Sequence, residues 1–207
     1  SMLNPNNKEL SLLDIGCSSG LFLSHASKHG YQGYGIEPNL LERTYALNNG
    51  IKVIGSELSD IDTKNKFDVI TLWDVLEHIK NPIEYISSFR KYLSGLDACV
   101  FIQVPSCDSL AARVLREECK MFDGIEHLTL FSLNSLKIAF SKAGFKLVEA
   151  QSVISEKFAL SNYLSYCADP YHPTFKSSFP ASFSDYQSLE ENMLGYKIQA
   201  TFSLVSN

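Results

Sequence analysis

The chain has 207 residues, 45% of them hydrophobic and 20% charged, with a mean hydropathy of −0.04. That suits one substantial domain with its own core, and no apolar run reaches the roughly eighteen residues of a membrane span. A net charge of −5 gives no general attraction to nucleic acid, and five cysteines without a C-x-x-C pair argue against a metal site or a disulfide framework and for a reducing cytoplasm.

Taken in chain order, apolar runs alternate with amphipathic ones. Residues 10–15 read as a buried strand and 21–29 as a helix ended by Gly30. A second strand over 32–37 leads to a helix over 40–48 that stops at Asn49-Gly50. Short and longer strands follow at 51–54 and 67–73. Asn81-Pro82 opens a helix, with asparagine as cap and proline at the first turn, and Gly95 closes it. A strand at 98–104, a helix at 133–143, a strand at 145–154 and a last strand at 196–205 complete the pattern. Such alternation predicts an α/β, doubly wound parallel sheet, with ligands beyond the carboxyl ends of its strands. Two stretches break the rhythm, 105–131 and 155–195. They are expected to be lid or substrate insertions in a single domain spanning 1–207. Ser184 and Gln187 have the spacing of a capping box for a short helix ending near Gly195.

The segment LLDIGCSSGLFL, residues 12–23, holds the first chemistry. Gly16, Ser18 and Gly20 fit G-x-S-x-G, a hydrolase nucleophile elbow. Only one strand precedes Ser18, however, and no earlier segment can supply an oxyanion hole. A dinucleotide fingerprint would need glycine at 18 and 21, where serine and leucine stand. What remains is a glycine turn after the first strand and an acid, Glu37, at the tip of the second. A carboxylate there can accept both hydroxyls of a ribose, and the turn lets backbone approach a cofactor closely.

Four segments in this order resemble the class I S-adenosylmethionine-dependent methyltransferases, in the small-molecule branch that includes the ubiquinone-biosynthesis O-methyltransferases. They are LLDIGCSSGLFL, GYGIEPN, FDVITLWDVLEHIKNP and GIEHLTLFSLNSLKIAFSKAGFKLVE. The resemblance implies a seven-stranded Rossmann-like sheet with helices on both faces and an antiparallel last strand. It implies S-adenosylmethionine as cofactor, S-adenosylhomocysteine as its product, and a small-molecule methyl acceptor. Cofactor contacts are then expected at Asp14, Gly16, Cys17, Ser18, Gly20, Glu37, Pro38, Glu57, Leu58, Trp73 and Asp74. Ser18 departs from the family's middle glycine.

Glu77 and His78 form an E-H pair shared with many relatives. His78 and His127 are the candidates for a base acting on an acceptor hydroxyl, against a plain structural role for each. His25, His29 and His172 read as surface, and Cys99 as core. The aromatics of 163–186 suit a substrate wall or a homodimer surface through 155–190. A catalytically silent cofactor-binding or partner subunit is the competing class.

Overall fold

The computed structural model describes residues 9–154 and 186–206. The 163–186 aromatic stretch, His172 and Ser184 of the expected capping box lie outside the described residues or lack a described side chain.

Seven strands form one sheet in the order β3-β2-β1-β4-β5-β7-β6. They are β1 (Leu10–Ile15), β2 (Tyr31–Ile36), β3 (Val53–Gly55), β4 (Val69–Trp73), β5 (Cys99–Pro105), β6 (Phe145–Val153) and β7 (Lys197–Leu204). The first five run parallel, and β7 pairs antiparallel with both β5 and β6. The chain winds outward through β2 and β3 on one side of β1 and through β4 and β5 on the other. The winding reverses between β1 and β4, which opens the crevice where such sheets bind ligands.

The period-2 alternation of the strands sorts their side chains onto two faces. Leu13, Ile70, Val100 and Phe202 join the larger core with Phe89 and Phe140. Leu12, Val69 and Cys99 face the other way, onto Leu23 and Ala26 of α1 (Leu21–Lys28). Phe140, on α5 (Leu133–Lys142), stacks on Phe202 with ring centroids 3.7 Å apart. Burying rings of this size is a large apolar gain for the sheet.

Two expected elements differ. The third strand starts at Val53, because the Ile51 amide instead closes α2 (Leu40–Asn48) by donating to Ala46 O. The helix opening at Asn81-Pro82 stops early. α3 covers Pro82–Ser88, and a 3-10 turn over Phe89–Lys91 replaces its second half. Asn81 makes no side-chain cap, its ψ of 71° falling short of the extended backbone usual at a capping residue. The stretch 105–131 is more ordered than a bare loop. It holds α4 (Leu110–Leu115), capped by Ser109, and packs Ala111, Ala112, Leu115 and Met121 against Tyr196. α6 (Tyr186–Glu191) precedes β7. Among the described residues no helix is long and apolar enough to cross a membrane.

Candidate functional site

The chain leaves β1 through a five-residue turn with three left-handed residues, Gly16 (φ 73°), Ser18 (φ 48°) and Gly20 (φ 81°). Ser18 thus holds, at some strain, a conformation that glycine adopts freely. The Gly16 and Cys17 amides both donate to Ile36 O, at 2.9 and 3.0 Å, which pins the turn to the end of β2.

Glu37 stands just beyond that end and is 7% exposed. Its Oε2 accepts the Ser18 amide and its Oε1 accepts the Asn39 amide, each at 2.8 Å. Each oxygen keeps a second lone pair. Ser18 Oγ donates to Glu42 Oε2 at 3.0 Å, so the hydroxyl is bound to α2. Asn39 caps that helix by accepting the amides of Leu41 and Glu42.

These groups border a cavity of about 1030 Å³ over the carboxyl ends of β1, β2 and β4. That is at the top of the roughly 300–1,000 Å³ range of small-ligand sites. Of the expected cofactor residues, Gly16, Ser18, Glu37, Pro38, Glu57, Leu58, Trp73 and Asp74 line it, and so does His78. Ile15, Ile36, Val75, Ile79 and Tyr85 supply apolar wall.

Asp14, Cys17 and Gly20, the other expected cofactor contacts, do not line the cavity. Asp14 is buried and accepts the Thr71 hydroxyl at 2.7 Å. Burial, opposed by that bond and reinforced by the charge of Glu37, pushes its carboxyl up to about 7. Cys17 packs beneath α1, its sulfur filling the space above Gly35. A Cβ on Gly20 would meet Ile51 Cγ1 at 2.5 Å. All three brace the turn from behind.

The loop after β3 is held by Asp60, which sequence reading passed over. Its Oδ2 accepts Ser56 N, Ser56 Oγ and Glu57 N at 2.8–3.0 Å, and these bonds hold its carboxyl below the usual range. The signal was S-E-L-S-D, an acid three residues after a turn start.

At the end of β4, the Trp73 ring sits between Phe22 and Phe101, with centroids 5.0 and 4.8 Å away. Its Nε1 is buried without a partner. Asp74 adopts φ 54°, a strained conformation for a residue with a Cβ. Its Oδ2 accepts Gln103 Nε2 at 3.0 Å and pairs with Lys197 Nζ, while Oδ1 is buried and unpartnered.

His78 and His127 are brought together, with rings 5.2 Å apart. His78 Nδ1 lies 2.7 Å from Glu126 O and His127 Nδ1 lies 2.9 Å from Met121 O. A carbonyl only accepts, so both Nδ1 atoms carry hydrogen and, in the neutral rings, each Nε2 carries a lone pair. His127 touches the cavity only through His78. Glu77 O accepts the amides of Leu128 and Thr129 at 2.9 and 3.0 Å, clamping the His127 loop in place. The Glu77 side chain is 2% exposed, both its oxygens lack partners, and burial pushes its carboxyl up to about 7. His25 and His29 are exposed, and Cys99 is core.

A sheet of this order with a glycine turn and an acid at its switch point defines the class I methyltransferase fold. Residues 1–150 match the family model described as a methyltransferase domain, and the chain belongs to that family, whose methyl donor is S-adenosylmethionine. Over 91 residues it is 29% identical to a ubiquinone biosynthesis O-methyltransferase of Rickettsia conorii, a match covering 41% of this chain and 32% of that protein. The chain spans about a third of the length of the curated relatives it matches. Among solved structures, the magnesium protoporphyrin IX methyltransferase of Synechocystis with bound SAH aligns over 99% of this chain and 78% of its own, at TM-score 0.64 and 12% identity. A Haloferax volcanii methyltransferase-activator complex aligns over 98% and 85%, at TM-score 0.66 and 12% identity. At such identities these likenesses concern the fold.

Proposed function

We propose that this chain transfers a methyl group from S-adenosylmethionine to a hydroxyl of a small-molecule acceptor. The observation that carries this reading is one cavity running from Glu37 to His78. The name of the Rickettsia relative supports oxygen as the methylated atom.

The cavity's chemistry fits the donor. Glu37 offers two free lone pairs to a ribose diol, and Leu58 and Ile36 offer apolar surface to a base. Trp73 and Asp74 line the cavity where the amino-acid tail of the donor would lie. When bound, the donor supplies a methyl group already made electrophilic by a sulfonium. What the chain does is hold, orient and exclude water. Positioning of this kind supplies roughly 7–11 kcal/mol in favourable intramolecular cases. His78 stands at the far end of the cavity with His127 against its ring, and its Nε2 lone pair suits a base where an acceptor hydroxyl must lose its proton.

The test is turnover of S-adenosylmethionine against a panel of phenols and catechols, read by mass spectrometry. An O-methylated product supports the reading. Binding of S-adenosylhomocysteine without any turnover marks the alternative, a cofactor-binding or partner subunit.

A further inference from the structure

Three side chains at the acceptor end of the cavity have no use for one another as they stand. Glu77 is a buried carboxylate whose two oxygens lack any hydrogen-bond partner. Keeping a carboxylate charged in such a place is costly, and a cation bound directly to it would offset that cost. Lys197 does not, because its ammonium is paired with Asp74. His78 Nε2 lies 4.0 Å from Glu77 Oε1, too far for a hydrogen bond.

The two histidines are oriented alike. Each fixes its Nδ1 on a backbone carbonyl, Glu126 O for His78 and Met121 O for His127. That is how metal-binding histidines are held, the second ring nitrogen setting the tautomer and freeing Nε2 to donate its lone pair. One ligand atom from each of Glu77, His78 and His127 lies within 4.8 Å of the other two. A tetrahedral site with bonds of about 2.0–2.2 Å has edges of about 3.4 Å, so these atoms must draw closer around an ion, a movement left to the exposed His78 and half-buried His127.

We propose that Glu77, His78 and His127 bind one divalent cation of the zinc class, leaving coordination positions for water or an acceptor oxygen. Two imidazoles and one carboxylate are a donor set for borderline first-row ions and a poor one for Mg²⁺, which takes oxygen ligands. The cysteine spacing hid such a site, because cysteine takes no part in it. A hydroxyl bound to the ion gives its proton to solvent at a lower pH than a free one. Deprotonation of the acceptor then falls to the ion, and the two histidines act as ligands in place of bases. This role in the reaction rests on the function proposed above; the binding of the ion does not.

The test uses the full chain, stripped with chelator and titrated with Co²⁺ and Zn²⁺. The expected result is one ion per chain, with a visible Co²⁺ absorption band. Glu77→Gln and His127→Ala each weaken binding beyond the roughly 10–100-fold that loss of an outer-shell partner costs. His25→Ala, at an exposed histidine on α1, leaves it unchanged. Both site variants keep the S-adenosylhomocysteine affinity of the wild type, which shows that they fold. Absence of stoichiometric Co²⁺ and Zn²⁺ binding overturns the proposal, as does undiminished binding in either site variant. A chain that binds the ion but no S-adenosylhomocysteine would overturn the proposed function and leave this site standing.

Discussion

The Glu37 carboxylate accepts the Ser18 amide at 2.8 Å, tying the tip of β2 to the turn that leaves β1. The same carboxylate accepts the Asn39 amide, so one side chain fixes the turn and the start of α2. Glutamine at 37 keeps one acceptor oxygen and turns an amino group toward the other N–H. Glu37→Gln is expected to lower stability by about 1–3 kcal/mol, the cost of an unmade bond to a charged or buried group. The urea midpoint measures it, and an unchanged midpoint would show that the turn holds without Glu37.

Gly20 tests the turn from its other end. Its φ of 81° and the Ile51 side chain both oppose a Cβ. Gly20→Ala is expected to cost at least about 1 kcal/mol from the backbone conformation alone. Pairing it with Ile51→Ala should recover part of the loss, because the clash is with that side chain. A double variant no better than the sum of the singles would place the cost in the backbone only.

Stability should fall as pH rises from about 4 to about 7. Burial holds the Asp14 carboxyl near 7 in the folded chain, against 3.8 unfolded. In that window the folded state keeps a proton that the unfolded state has released, so raising the pH favours unfolding. The contribution is fully present below the unfolded value and is lost through the folded one. Its slope is at most about 1.4 kcal/mol per pH unit. Glu77, raised from 4.5 to about 7, adds a second slope of the same sign. Asp14→Asn should flatten the profile of unfolding free energy against pH, and a profile as steep as wild type would contradict the assignment.

Trp73 is the chain's single tryptophan and lines the cavity. Its fluorescence should therefore change on addition of S-adenosylhomocysteine and saturate with the same Kd as calorimetry gives. A signal that stays flat while calorimetry shows binding would place the ligand elsewhere.

The Glu37 end of the cavity was legible in the sequence because its determinants are local. Gly16, Ser18 and Gly20 lie in one turn, and Glu37 ends the next strand, so apolar runs and punctuation were enough to place them. Asp14, Cys17 and Gly20 lie behind the cavity lining, a placement that local pattern does not reveal. Adjacent positions on a strand and turn face opposite ways, and only packing against Thr71, Gly35 and Ile51 shows which. The acceptor end was legible as residue types and not as a constellation. His78 meets His127 through long-range bonds with no sequence signature, the Glu77 carbonyl capturing the Leu128 and Thr129 amides and the Glu126 carbonyl accepting from His78 Nδ1. The isolation of the Glu77 carboxylate is a property of the packed core, invisible in L-E-H-I. The early end of α3 has a similar origin, since burial of Phe89 and the Tyr92 hydroxyl bond to Leu58 O draw the chain inward.

The central claim is that the cavity between Glu37 and His78 holds S-adenosylmethionine. Thermal unfolding with S-adenosylhomocysteine tests it most directly. At a hundred times Kd the ligand should stabilise the wild type by about 2.7 kcal/mol. Glu37→Ala should shift far less at the same concentration. No shift in the wild type would contradict the claim, and an equal shift in Glu37→Ala would remove Glu37 from the site.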